Sequence, residues 1–74
     1  MAGNVHVVPA DGDGWAVEIE GGDGPLARFD TQEEAIAEGT ERAQQYRVEL
    51  LIHGRDGKIR ARNSFGHDPR NIKG

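Results

Sequence analysis

Three histidines, His6, His53 and His67, are the only side chains in the sequence with imidazole nitrogens, and there is no cysteine. A zinc site built on thiolates is therefore excluded, as are a disulfide framework and a cysteine nucleophile. No two histidines stand in an HxH or HExxH spacing, so no metal is expected. His6 and His53 each fall on a strand and can meet across a pair of strands. His67 is followed by Asp68, and a local hydrogen bond explains that pair. Asp11-x-Asp13-Gly14 matches the opening of a calcium loop. Such a loop needs an oxygen ligand two residues later and a bidentate Glu at its twelfth position. Trp15 and Gly22 occupy those places, which leaves a hairpin turn as the reading. Neither GxGxxG after a strand nor GxxxxGK[ST] occurs, so the glycine clusters are corners and not phosphate cradles. Ser64 is the single serine and lies outside any nucleophile elbow. Paired carboxylates are plentiful, but they fall on turns and on a helix surface, where nothing desolvates them. The expectation is a non-enzymatic protein without a cofactor.

The pattern with most functional content is Lys58, Arg60 and Arg62. Alternation puts the three on one face of a strand, about 6–7 Å apart, a spacing that can follow a phosphate backbone. Arg47, Arg55 and Arg70 add to it. Glu18 and Glu20 fall on a sheet face by the same alternation, and opposite charges on neighbouring strands pair. A solvated, cross-strand-paired face is the favoured reading, with nucleic acid as the alternative.

These residues need elements to hold them. Val5-His6-Val7-Val8 is a β-branched run stopped by Pro9. Asp11-Gly12-Asp13-Gly14 has turn chemistry. Trp15-Ala16-Val17-Glu18-Ile19-Glu20 alternates with period two and completes a hairpin. Gly21 to Pro25 turns again, and Leu26-Ala27-Arg28-Phe29 makes a short third strand. Thr31-Gln32-Glu33-Glu34 is a capping box, which starts a helix running to about Tyr46. Ala35, Ile36, Gly39, Ala43 and Tyr46 share one face of it. The small Gly39 and Ala43 let the helix lie close to a sheet. Val48 to His53 is a strand, Gly54-Arg55-Asp56-Gly57 a tight turn, and Lys58 to Asn63 the returning strand. Residues 64–74 are polar and form an irregular tail of a single domain spanning 1–74. The order β-β-(β)-α-β-β predicts an α+β fold, a small antiparallel sheet with one helix packed on one face.

The chain has 74 residues, with nine Lys and Arg against thirteen Asp and Glu, a net charge of −4. The acids crowd residues 1–46, with Arg28 and Arg42 as the only bases there; residues 47–74 are net basic. A domain this small seldom gains more than about 3–5 kcal/mol from one core. One helix covers one sheet face, yet Val7-Val8 and Leu50-Leu51-Ile52 are apolar on both. Val8 and Leu51 are thus expected to be covered by a second copy, most simply in a two-fold dimer, or by another protein. No run of 18 apolar residues exists, and Met1-Ala2-Gly3-Asn4 lacks a basic region followed by an apolar stretch. The expectation is a cytoplasmic protein with no membrane contact.

Several blocks run in a familiar order: His6-Val7-Val8-Pro9, Gly14-Trp15-Ala16-Val17, Asp30-Thr31-Gln32-Glu33-Glu34-Ala35-Ile36, Glu49 to Ile59 and Ser64-Phe65-Gly66-His67-Asp68-Pro69. Together they resemble the small uncharacterised bacterial family called domain of unknown function twenty-one eighty-eight. The resemblance implies a small bacterial domain and supplies no catalytic residues. Trp15 to Gly39 alone is similar to three-stranded-sheet DNA-binding domains of the plant AP-two and phage-integrase arm-binding kinds. Those domains read DNA with basic and aromatic sheet residues. Here the matching strand carries Glu18 and Glu20, so any such contact falls to Lys58, Arg60 and Arg62.

Overall fold

The computed structural model describes residues 3–22 and 24–65. Five strands and one helix follow in the order β1 (Val5–Pro9), β2 (Trp15–Ile19), β3 (Pro25–Phe29), α1 (Gln32–Tyr46), β4 (Glu49–His53) and β5 (Ile59–Ser64). Ser64, expected to open the tail, is the last residue of β5, and Phe65 packs against the core. The rest of the expected tail, with His67 and Arg70, lies outside the described residues.

The strands form one sheet in the order β3-β2-β1-β4-β5. The α+β expectation holds, but the sheet is mixed and not antiparallel throughout. β1 and β4 run parallel, with Val5 beside Leu50, His6 beside Leu51 and Val7 beside Ile52. The reason lies in the connection. A helix between two strands is a crossover and returns the chain to the end where it began, so β4 enters in the direction of β3. β3 already runs with β1, because each is antiparallel to β2.

The core lies between α1 and one sheet face. Val5 and Val7 of β1, Val17 of β2 and Leu50 of β4 are fully buried there. Each such burial contributes about 1.5–3 kcal/mol relative to exposure. The helix meets them with Ala35, Gly39 and Ala43, one residue per turn along a single stripe. No large side chain stands on that stripe, so the helix sits directly on the valines. A Cβ built at Gly39 would come within 2.9 Å of Leu50 Cδ1 and 3.1 Å of Val7 Cγ2. Tyr46, expected on the buried face, is instead among the exposed residues.

Both helix ends are closed. The Thr31 hydroxyl accepts from the Glu34 amide at 3.2 Å, as the capping box requires. At the other end Arg47 takes a left-handed conformation, φ 59°, and its amide and that of Val48 both donate to the Ala43 carbonyl.

Candidate functional site

Alternation along the central strands turns His6, Val8, Glu18 and His53 away from the helix. They line an open cleft of about 330 Å³ with Glu20 and the glycines of the β2–β3 turn. His6 stands opposite Glu18 in the β1–β2 register and beside Leu51 in the β1–β4 register. Its Nε2 lies 2.7 Å from Glu20 Oε2, and its Nδ1 lies 2.9 Å from His53 Nε2. His53 Nδ1 in turn lies 2.9 Å from the Gly57 carbonyl. The two imidazoles thus meet across strands, as the sequence allows. Glu20 and the Gly57 carbonyl join them as partners that periodicity does not reveal. The hydrogen bond from His6 holds the Glu20 carboxyl below its ordinary range, assisted by the charge of His6 when protonated.

The β4–β5 turn aims the Gly57 carbonyl. Gly57 has φ 86°, which suits glycine, and its amide donates to Gly54. The Asp56 carboxylate accepts from the Lys58 amide at 3.1 Å and fixes the turn from outside. Behind His53, the Gln32 side chain donates to its carbonyl at 3.1 Å and ties the start of α1 to the end of β4.

The basic residues do not form the expected stripe. A bulge falls between Ile52 and His53, so Ala61 stands opposite Ile52 while Ile59 stands opposite the next residue, His53. The extra residue, Arg60, breaks the period-two pattern. Arg60 instead pairs with Asp56 at 2.9 Å. Arg62 stands opposite Leu51, and Lys58 is exposed in the turn. Arg55 is drawn to the far hairpin, where its guanidinium lies 4.5 Å over the Trp15 ring and donates to the carbonyls of Gly12, Asp13 and Gly14. Among the described residues, Glu18 and Glu20 make no ion pair with these bases. β1 and β4 separate β2 from β5, a distance of about 14 Å across three strand spacings.

The two residues expected to form an interface also divide. Val8 is half-buried in the cleft wall. Leu51 is already covered by its own chain, at 6% exposure. A second cleft of about 690 Å³ lies beside the β1–β2 turn, lined by Asp11, Asp13, Asp30 and Glu34 together with Arg28 and Phe29. Among the described residues, no group of three or more histidines and carboxylates is arranged to hold a metal ion. No helix among them is long and apolar enough to cross a membrane.

The model of the family "Uncharacterized protein conserved in bacteria", DUF2188, matches residues 5–65. The chain belongs to this family. The match takes in every strand, the helix and both cleft histidines of this DUF2188 domain. No curated protein and no solved structure matches the chain.

Proposed function

We propose that this protein is a non-enzymatic bacterial binding module that self-associates, and that β5 is the strand through which it does so. The observation that carries this reading is the exposure of the edge. All six residues of β5 are exposed, and among the described residues β5 is the last strand of the sheet. Ile59, at 54% exposure, is a large apolar side chain on that edge. An uncovered edge offers a row of backbone donors and acceptors to another strand. Two copies of β5 pairing antiparallel about the point between Ala61 and Arg62 set Arg62 against Ala61 and Arg60 against Asn63. No two like charges then stand directly opposite. The coverage of Leu51 moves the contact from the sheet face, where the sequence suggests it, to the sheet edge. The cytoplasm is the compartment proposed with it.

The test is absolute mass in solution by light scattering behind size exclusion. Twice 8.1 kDa is expected for the native chain, and 8.1 kDa for Ile59→Lys, which adds like charge at the edge. A native mass of 8.1 kDa at every concentration overturns the reading.

One observation favours a second reading, nucleic-acid binding. Arg60 and Arg62 are exposed on β5, Lys58 immediately precedes it and Arg47 follows α1, with Glu49 and Asp56 as the acids near them in the chain. A binder of this kind loses affinity steeply as salt rises, and Lys58→Ala with Arg62→Ala lowers both the affinity and the salt dependence. Oligonucleotide titration at two salt concentrations decides it, and unchanged binding in the double variant removes this reading.

A further inference from the structure

The sheet has a seam. Among the described strands β1 and β4 are the parallel neighbours, and three registered pairs join the β1–β2–β3 unit to the β4–β5 hairpin there. On the open face one chain of hydrogen-bonding groups crosses this seam, from Glu20 through His6 and His53 to the Gly57 carbonyl.

Both ends of that chain accept. Glu20 is a carboxylate, and Gly57 offers a backbone carbonyl. The end contacts are made by hydrogens on His6 Nε2 and His53 Nδ1. In two neutral rings the inner nitrogens, His6 Nδ1 and His53 Nε2, would then both be bare lone pairs, yet they lie 2.9 Å apart. Three hydrogen bonds between accepting ends require three protons, and two neutral imidazoles carry two. We infer that the seam binds one additional proton, shared between His6 and His53 beside the Glu20 carboxylate, and that this proton latches the two halves of the sheet together.

A metal ion is the other cation that could separate two lone pairs, and the ring geometry speaks for the proton. The ring centroids are 5.1 Å apart, close to the N···N separation plus two ring radii, so the nitrogens point at each other end on. Two ligands of one ion would converge on a point off that line. Of the charged groups around the dyad among the described residues, the Glu20 carboxylate is the one in direct contact with it. Glu18 of β2, opposite His6, and Glu20, in the turn after β2, face the dyad. From the other side come Arg62, opposite Leu51, and Lys58 in the turn; Ile59, opposite His53, brings no charge. β3 places Arg28 opposite Ala16, farther along the same face. The helix contributes only the neutral Gln32 amide, to the His53 backbone.

Loss of the proton leaves two hydrogens for three contacts; with the contacts to Glu20 and the Gly57 carbonyl kept, two lone pairs face each other and the rings part. The core side of the seam, Val5, Val7, Leu50 and Ile52, stays packed under α1. Opening is therefore local: these side chains stay in place while the β1–β4 backbone hydrogen bonds of the seam loosen.

The experiment is nitrogen NMR of the uniformly labelled full chain across pH. A scalar coupling across an N–H···N hydrogen bond between His6 and His53 is expected wherever the dyad holds the extra proton, with one proton shared by both rings, and is expected to vanish as that proton is lost with rising pH. Two rings that titrate independently with no coupling at any pH overturn the inference. Amide exchange at Val7 and Leu51, whose N–H groups point across the seam, reads the latch itself. As the coupling disappears, protection of these amides should fall about tenfold beyond the intrinsic hydroxide effect, the worth of one charge-assisted hydrogen bond. In His53→Gln the protection should not change with pH in this way. Protection that ignores the loss of the coupling in the native chain overturns the latch. If His53→Gln does not fold, the native spectra and exchange rates decide alone.

Discussion

The Arg55 guanidinium lies over the Trp15 ring, 4.5 Å from its centroid. The two residues belong to opposite hairpins, so this contact and the three carbonyls of residues 12–14 pin the β4–β5 turn to the β1–β2 turn. Arg55→Ala should lower stability by about 1 kcal/mol, the worth of an exposed cation–π pair with its hydrogen bonds. Arg55→Lys should recover only part of it, because an ammonium lacks the planar fork. Urea denaturation followed by Trp15 fluorescence measures both effects, and the native emission of Arg55→Ala should shift to the red. An unchanged midpoint would mean that the clamp contributes nothing.

Gly39 has the opposite problem, too little room. Alanine there would add about 1 kcal/mol of helix propensity. Its Cβ would also press on Leu50 Cδ1 at 2.9 Å and Val7 Cγ2 at 3.1 Å, both on fully buried residues. Overpacking of this kind costs about 1–3 kcal/mol, so Gly39→Ala should be destabilising on balance. Combining it with Leu50→Val should cost less than the two single changes added together. Thermal midpoints of the four proteins complete the cycle, and strict additivity would show that the two residues do not compete for space.

Thr31 closes the helix start with one hydroxyl. Thr31→Ala should cost about 1 kcal/mol, and Thr31→Ser should restore most of it. Equal denaturation midpoints for Thr31→Ala and the native chain would assign the cap no role.

The Glu20 carboxyl is held below its ordinary value of 4.5, first by the hydrogen bond from His6. A carboxyl lowered by folding stabilises the fold above its unfolded value and loses that contribution as pH falls through its folded value. Native stability should therefore decline below about pH 4.5, and Glu20→Gln should flatten part of that decline. The effect is small, because the group is exposed. Denaturation midpoints over the acid range check it; parallel curves for the two proteins would show that Glu20 has no share in the acid limb.

Local chemistry in the sequence marks most of this fold. Thr31 to Glu34 places the start of α1, Pro9 the end of β1, and the Gly-Asp clusters the corners. Two relationships escape such reading because they are not local. The parallel β1–β4 pair follows from the helix between β3 and β4, a signal that strand counting overlooks. The bulge at Ile52 and His53 leaves no trace in the alternation of residues 58–62, which looks unbroken while the backbone carries one residue too many for its partner. That single residue dissolves the basic stripe. For the cleft, strand placement is enough to bring His6 near His53, whereas Glu20 and the Gly57 carbonyl are set by a turn each.

The parallel pair also orders events during synthesis. Leu50 and Ile52 complete the core beneath the helix, and both reside on β4. A ribosome that has released only residues 1–48 has delivered three strands and a helix whose Gly39 still lacks its closest neighbour, the Leu50 side chain. β1 meanwhile offers an open edge in the middle of the future sheet. The nascent chain therefore stays sensitive to protease until β4 emerges, and the first strand made is among the last to be paired on both sides.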